Sequence, residues 1–228
     1  MEQTGQRRAQ NKARAMRETW LRAHPHVLIV GDEVDASVPV LTLPELAGRP
    51  GYWNAQHRQL RGMRKQRPEL LSKRFFLLAD DDTWVNLPLL QTYLAQYDET
   101  LPFGRGWMWD RTHNETLEFF SGGAGMFFSQ AAFGILSREL YGPLCPFVRA
   151  NNLTLGKCCH ATGIVRALSV ARDTGDLTRR ALLHCHLSFH YMGDHDLLVV
   201  LTCGRVGGGL CDEAAVNTAE AVVGCAPP

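Results

Sequence analysis

The feature that most constrains the fold is an apolar run followed directly by three aspartates, in residues 75–85 (FFLLADDDTWV). Four to five consecutive apolar residues are typical of a strand buried on both faces, as in a parallel sheet covered by helices. Three adjacent aspartates cannot lie inside such a strand, because burying unpaired carboxylates costs too much free energy. We therefore expect Asp80, Asp81 and Asp82 just after the strand, at the edge where open α/β sheets bind ligands.

The three carboxylates are a candidate metal site. In an extended chain, Asp80 and Asp82 would share one side and Asp81 would face the other. Like charges this close repel each other unless a cation lies between them. A hard divalent ion with oxygen ligands, Mg²⁺ or Mn²⁺, suits them and can bridge to the phosphates of a nucleotide. The alternative is a solvated acidic turn before a helix.

Composition excludes some classes of function. The 228 residues suit one α/β domain, and 24 Lys plus Arg against 23 Asp plus Glu give no global field for nucleic acid or an anionic membrane. No apolar run approaches the length needed to span a bilayer. Seven cysteines, an odd number, and glycosylation sequons at Asn114 and Asn152 favour a secretory-lumen context.

Hydrophobic periodicity predicts alternating helices and strands. Helices are predicted over residues 5–23, 54–67, 87–97 and 131–140, with another inside 151–170; strands are predicted over 26–31, 75–79 and 103–109. Residues 39–50 contain three prolines and a glycine and are predicted to be a loop. The opening order of helix, strand, helix, strand indicates a parallel sheet with covering helices. Residues 197–228 contain no motif and are interpreted as a poorly specified tail.

Four motifs, in order within residues 14–192, resemble those of the Fringe and core 1 β1,3-galactosyltransferase group of glycosyltransferases. Residues 80–85 resemble its DDD-x-Tyr-Val, and residues 120–129 its Gly-Gly-Ala-Gly segment. Residues 152–156 resemble its Asp-x-Thr-x-Gly, and residues 184–187 its closing His-Ser-His-Leu. The resemblance divides the chain into a polar extension (1–13), a Fringe-like domain (14–196) and the tail.

The resemblance implies a GT-A (Rossmann-like) fold, with a mixed, mostly parallel sheet flanked by helices and with its first strand missing. It also implies inverting transfer from a UDP-sugar held by Mn²⁺, with a new β1,3 bond to a glycan or glycoprotein acceptor. Members of the group act in the Golgi or secretory lumen, usually as type II membrane proteins. The donor sugar cannot be read from these motifs.

The resemblance also assigns roles to residues. The implied metal ligands are Asp80, Asp82 and His186, and the implied nucleotide-sugar contacts are Asp80, Asp81, Trp84, Gly122 and Gly123. Glycines allow the backbone to approach a sugar closely, and an aromatic ring can stack on its apolar face. Each role has an alternative: a packed histidine, a core tryptophan or a simple glycine turn.

One position departs from the family pattern. Asn152 occupies the place of the Asp that acts as general base, and a carboxamide cannot accept a proton at neutral pH. Either another group serves, with His160, Asp194 and Asp196 as candidates, or the protein binds nucleotide sugar or glycan without turnover. A metal-dependent phosphohydrolase is a third hypothesis, and it predicts phosphate release without a sugar acceptor.

Overall fold

The computed structural model describes residues 12–22, 24, 26–31, 40–46, 52–65, 70–106, 108–109, 119–123, 125–148, 150–168 and 188–189. The helices in these ranges are α1 (residues 12–18), α2 (Tyr52–Arg64), α3 (Leu87–Leu94), α4 (Gln130–Glu139) and α5 (Asn151–Ala161), with a 3-10 turn at Pro44–Leu46. The strands are β1 (Ile29–Gly31), β2 (Val40–Thr42), β3 (Phe75–Leu78), β4 (Trp84–Val85), β5 (Phe103–Gly106), β6 (Met108–Trp109), β7 (Phe119–Phe120), β8 (Met126–Ser129), β9 (Val165–Leu168) and β10 (Ser188–Phe189).

A four-stranded mixed sheet lies at the centre, in the order β3-β8-β5-β9. Strand β8 is antiparallel to both β3 and β5, and β9 is parallel to β5. Three of these strands therefore run in one direction and β8 runs in the other. Strands β1 and β2 pair in parallel, and β4 pairs with β10 in antiparallel orientation. The architecture is the mixed α/β sheet expected from the sequence.

Different helices cover the two faces of the sheet. In β8, Met126 and Phe128 belong to one buried cluster and Phe127 to the other, as the two-residue period of a strand requires. The first cluster also takes side chains from α2, α4 and α5 (Leu60, Leu136 and Leu155), and the second takes them from α1, β4 and α3 (Met16, Trp84 and Leu90). The sheet is thus the middle of three layers.

Strand β3 confirms the interpretation of the apolar run. Phe76 packs against the first cluster, whereas Phe75 and Leu77 pack against the second, so the strand is covered on both faces. The predicted helices are confirmed within the described residues, with some boundaries shifted. Helix α2 ends at Arg64 and α3 at Leu94, both earlier than predicted.

The loop predicted for residues 39–50 is wrong over its first part. Strand β2 lies inside it, between Pro39 and Pro44, because Val40, Leu41 and Thr42 find a parallel partner in β1. Strand β9 was also missed within residues 151–170, where only a turn and a helix were expected. Both strands are short. Prolines on either side of β2 favour a loop, and the partner of β9, strand β5, is distant in the sequence and leaves no local signal.

None of the helices in the described ranges is long and apolar enough to cross a membrane. The predicted boundaries after residues 13 and 196 stay predictions, and α1 is described from residue 12 onward.

One disulfide, Cys145–Cys158, joins the segment after α4 to the second half of α5. Its neighbour Cys159 is a free, fully buried thiol. Burial raises the pKa of the Cys159 thiol to about 12, so this thiol stays protonated and unreactive at neutral pH. The other four cysteines of the sequence, at positions 185, 203, 211 and 225, lie outside the described residues.

The disulfide closes a short loop, and its removal is expected to destabilise the protein. Replacing both Cys145 and Cys158 by Ser should lower the free energy of unfolding by about 3 kcal/mol, because the denatured chain regains the entropy of that loop. Urea denaturation followed by tryptophan fluorescence measures this. Adding a reductant should lower the wild-type midpoint toward that of the double variant; an unchanged wild-type midpoint would contradict the expectation.

Candidate active site

The three aspartates lie in a tight turn between β3 and β4. The backbone N–H of Thr83 donates to the Asp80 carbonyl oxygen at 3.2 Å, which closes the turn. The alternation expected for an extended chain is therefore wrong here, because residues 80–83 are not extended. The triplet does lie directly after the buried strand, as the sequence predicts.

Two of the carboxylates share a cation supplied by the protein. The Lys12 ammonium lies 2.9 Å from Asp81 Oδ1 and 3.7 Å from Asp82 Oδ2. The Asp81 side chain is 49% exposed and that of Asp82 is 22% exposed, so Asp82 is the more enclosed of the two. The acidic turn therefore attracts positive charge, as oxygen ligands of a hard metal ion would.

Thr83 connects the acidic turn to the glycine segment. Its side chain is fully buried, its hydroxyl donates to the Gly123 carbonyl oxygen at 2.8 Å, and it accepts the Asp80 backbone N–H at 3.1 Å. Both hydrogen bonds form away from bulk water, where an unpaired polar group is costly. One hydroxyl thus fixes the distance between two of the predicted motifs.

The glycine segment forms a turn of its own. The Gly125 N–H donates to the Gly122 carbonyl oxygen at 3.0 Å, and Gly125 has φ +82°, a conformation that favours glycine. A Cβ added to Gly122 would lie 3.8 Å from Asn151 Oδ1 and 3.9 Å from Asn152 Cβ. The glycine turn therefore faces the first residues of α5, and the third motif joins the first two.

A network of amides holds the start of α5. Gln56 Oε1 accepts the backbone N–H of Asn151 at 2.9 Å, and Gln59 Oε1 accepts a hydrogen bond from the Asn151 side-chain amide. Asn151 Oδ1 in turn accepts the Asn152 N–H at 2.7 Å, and Asn152 Oδ1 accepts the N–H of Leu153 at 2.8 Å. These bonds satisfy N–H groups that a helix leaves unpaired in its first turn.

The alternative proton acceptors lie elsewhere. His160 is exposed in the last turn of α5. It follows Asn152 by eight residues, which correspond to about 12 Å along the helix axis. Asp194 and Asp196 lie outside the described residues. Within the described part of the chain, the residue at the glycine turn is therefore Asn152 and not His160.

The predicted third metal ligand, His186, also lies outside the described residues. Ser188, two positions later in the sequence, pairs with Val85, and Phe189 pairs with Trp84. The strand that follows His186 in the sequence is therefore hydrogen-bonded to the strand that follows the acidic turn.

The sequence model of the Fringe-like family matches residues 3–189 of the protein. The chain belongs to the Fringe-like family. Membership identifies a glycosyltransferase relative with a GT-A-like fold, in agreement with the mixed sheet and its covering helices. The contacts between the acidic turn, the glycine turn and the start of α5 are consistent with this membership.

Of the three metal ligands predicted for this Fringe-like chain, Asp80 and Asp82 lie within the described residues and His186 does not. Among the described residues, no three His, Cys, Asp or Glu side chains are arranged to hold a metal ion. The donor chemistry nevertheless fits Mn²⁺ or Mg²⁺, because carboxylate oxygens of Asp81 and Asp82 converge on a cation already. The assignment of Asp80, Asp82 and His186 stays a prediction.

Trp84 lies in the core of the Fringe-like domain. It is 5% exposed and belongs to the buried cluster that includes Trp20 and Leu90. This placement matches the core alternative for the tryptophans and leaves little of the ring for stacking on a sugar.

Sequence reasoning missed Thr83 and Lys12. A threonine between acidic and aromatic residues gives a weak signal, although a polar side chain beside a buried strand must find hydrogen-bond partners. Lys12 is 69 residues away from Asp81, and nothing local connects the two.

Thr83→Val is expected to loosen the site. Valine keeps the shape but leaves the Gly123 carbonyl and the Asp80 N–H without the hydroxyl, which should cost about 1–3 kcal/mol of folding free energy. Urea denaturation measures the loss. Thr92→Val is the matched control, because the Thr92 hydroxyl bonds Pro88 on an exposed helix surface, and it should change stability by less than about 0.5 kcal/mol. Equal losses in both variants would contradict a special role for Thr83.

Proposed function

We propose that the protein transfers a hexosyl or N-acetylhexosaminyl group from a UDP-sugar to a glycan or glycoprotein acceptor in the Golgi or secretory lumen. The reaction inverts the anomeric centre, forms a β1,3-type bond and depends on Mn²⁺. The observation that carries the proposal is the pair of hydrogen bonds by which Thr83 joins Asp80 to Gly123, together with the position of Gly122, where an added Cβ would lie 3.9 Å from Asn152 Cβ. Three of the four motifs by which the chain resembles this group of enzymes are therefore close together.

In this proposal each motif has one task. Asp80 and Asp82, with His186, would hold the divalent ion, which supplies positive charge to the departing diphosphate. Asp81, Gly122 and Gly123 would line the nucleotide-sugar pocket, with Trp84 supporting it from the core. The absence of a Cβ at Gly122 would let the reacting sugar approach the backbone closely beside α5.

A second candidate function follows from Asn152. The start of α5 is held by four amide side chains, Gln56, Gln59, Asn151 and Asn152, and none of them can take a proton at neutral pH. This neutral network favours a relative that binds UDP-sugar or glycan with little or no turnover. Binding and turnover are separable by measurement, and the two candidates differ only in the second.

Asn152→Asp is the decisive variant. A carboxylate at the start of α5 would lie beside Gly122 and could act as general base, so UDP release with acceptor present should rise by about 100-fold or more. The assay incubates the purified protein with Mn²⁺ and a panel of UDP-sugars and detects UDP. Mn²⁺ affinity should not change.

Asn151→Asp is the matched control, since it adds the same charge one residue earlier. Asn151 is 5% exposed and hydrogen-bonded to Gln59, so a carboxylate there should destabilise the protein without raising turnover. Unchanged turnover in Asn152→Asp, with intact UDP-sugar binding, would show that Asn152 does not hold the position of the base.

Gly122→Ala tests the space in front of α5. The added Cβ would make only ordinary van der Waals contacts, so stability should change by less than about 1 kcal/mol. The same methyl group narrows the gap to Asn152 and should weaken UDP-sugar binding, measured by calorimetry. Gly134→Ala is the control: it has open space around it in α4, and it should leave binding unchanged. Equal UDP-sugar affinity in Gly122→Ala and Gly134→Ala would show that Gly122 does not line the pocket.

A further inference from the structure

Lys12 is the basic side chain that the structure brings to the acidic turn. Its ammonium donates to Asp81 Oδ1 at 2.9 Å and lies 3.7 Å from Asp82 Oδ2. Its side chain is 20% exposed, although lysine is almost always found at the surface.

The position of Lys12 is set by the packing of α1. Lys12 lies one helical turn before Met16, on the side of α1 that is buried at Ala15 and Met16. These two residues belong to the same buried cluster as Trp84 and Val85 of β4, the strand that follows the acidic turn. The shared core fixes α1 relative to the turn, so Lys12 is placed beside the carboxylates by the fold.

The charges at the turn then determine what else can bind. Asp80, Asp81 and Asp82 carry three negative charges when ionised, and a divalent ion supplies two positive charges. The remaining negative charge would repel the diphosphate of a nucleotide sugar. The ammonium of Lys12 cancels that charge, at the cost of repelling the metal ion.

We propose that Lys12 is a donor-site residue that lowers the affinity of the acidic turn for a divalent ion and raises its affinity for an anionic diphosphate. This inference rests on the proposed function, because it assumes that the acidic turn is the donor site. It differs from a simple blocking role, in which Lys12 would compete with both ligands. Blocking predicts that removing Lys12 raises the affinity for both ligands. Charge balance predicts a higher affinity for the divalent ion and a lower affinity for the diphosphate.

The test compares wild type with Lys12→Met in the full-length chain. Methionine keeps an unbranched stem of similar length and favours helix, so α1 should still form. Mn²⁺ binding is followed by the electron paramagnetic resonance signal of the free ion, and UDP binding by calorimetry, with Mn²⁺ and again with a chelator. We expect Lys12→Met to bind Mn²⁺ about tenfold more tightly and UDP about tenfold more weakly, as for the loss of one unit charge within a few ångströms.

Two further variants sharpen the comparison. Lys12→Arg keeps the charge and should behave as wild type within about threefold. Lys65→Met changes the net charge equally but breaks a different ion pair, with Glu45 at 2.7 Å, and should leave both affinities unchanged. Thermal unfolding checks that each variant folds, and Lys12→Gln replaces Lys12→Met if the latter does not.

The outcomes separate the inference from the proposed function. Equal affinities in wild type and Lys12→Met, or tighter binding of both ligands, would overturn the role of Lys12 and leave the donor site in place. If wild type binds UDP but no Mn²⁺, the metal dependence in the proposed function is wrong, while weaker UDP binding by Lys12→Met in chelator still supports Lys12. Failure of wild type to bind either ligand overturns both.

Discussion

The buried hydroxyl of Thr83 is the interaction on which the site depends. It links the turn after β3 to the turn before β8, two segments that neighbour each other in the sheet but are separated by α3 and β5 in the chain. Since β3 and β8 pair residue by residue, from Phe75 with Ser129 to Leu78 with Met126, the sheet register brings the ends of both strands to one place. The hydroxyl then fixes how the two turns meet. Without it, the acidic and glycine motifs would share an edge but not a defined distance.

Electrostatic balance is the second constraint at this edge. A buried strand that ends in three carboxylates requires nearby positive charge, and the fold supplies one such charge from α1. A divalent ion would supply more, in a family whose enzymes handle diphosphate leaving groups. On the other side of the glycine turn, amides of α2 bond Asn151, and the Asn151 amide in turn accepts the N–H of Asn152. The proposed pocket therefore has the charged acidic turn on one side and amide side chains on the other.

The sequence was most informative where one pattern obeyed one physical rule. The apolar run before the aspartates could only be a covered strand, and the motif order identified the family before any coordinates. It was least informative where a segment was very short or its partner distant: β2 has three residues between two prolines, and Lys12 meets Asp81 across 69 residues. The adjacent asparagines show the same limit. In the sequence Asn151 and Asn152 look equivalent. In the structure Asn151 is buried and carries the hydrogen bonds to α2, whereas Asn152 is half-buried at the glycine turn. Such a difference arises from packing between helices and has no local signature.

Helix α5 has a consequence that reaches beyond its own residues. Its first turn presents Asn152, and its second half is tied to the segment after α4 through Cys145–Cys158. A rigid helix transmits constraint along its axis, so the covalent tie at one end steadies the polar group at the other. Reduction of the Cys145–Cys158 bond would therefore remove one constraint on the helix that carries Asn152. Disulfides persist in oxidising compartments and are rare in the cytosol, so the strength of this constraint depends on the redox potential around the protein.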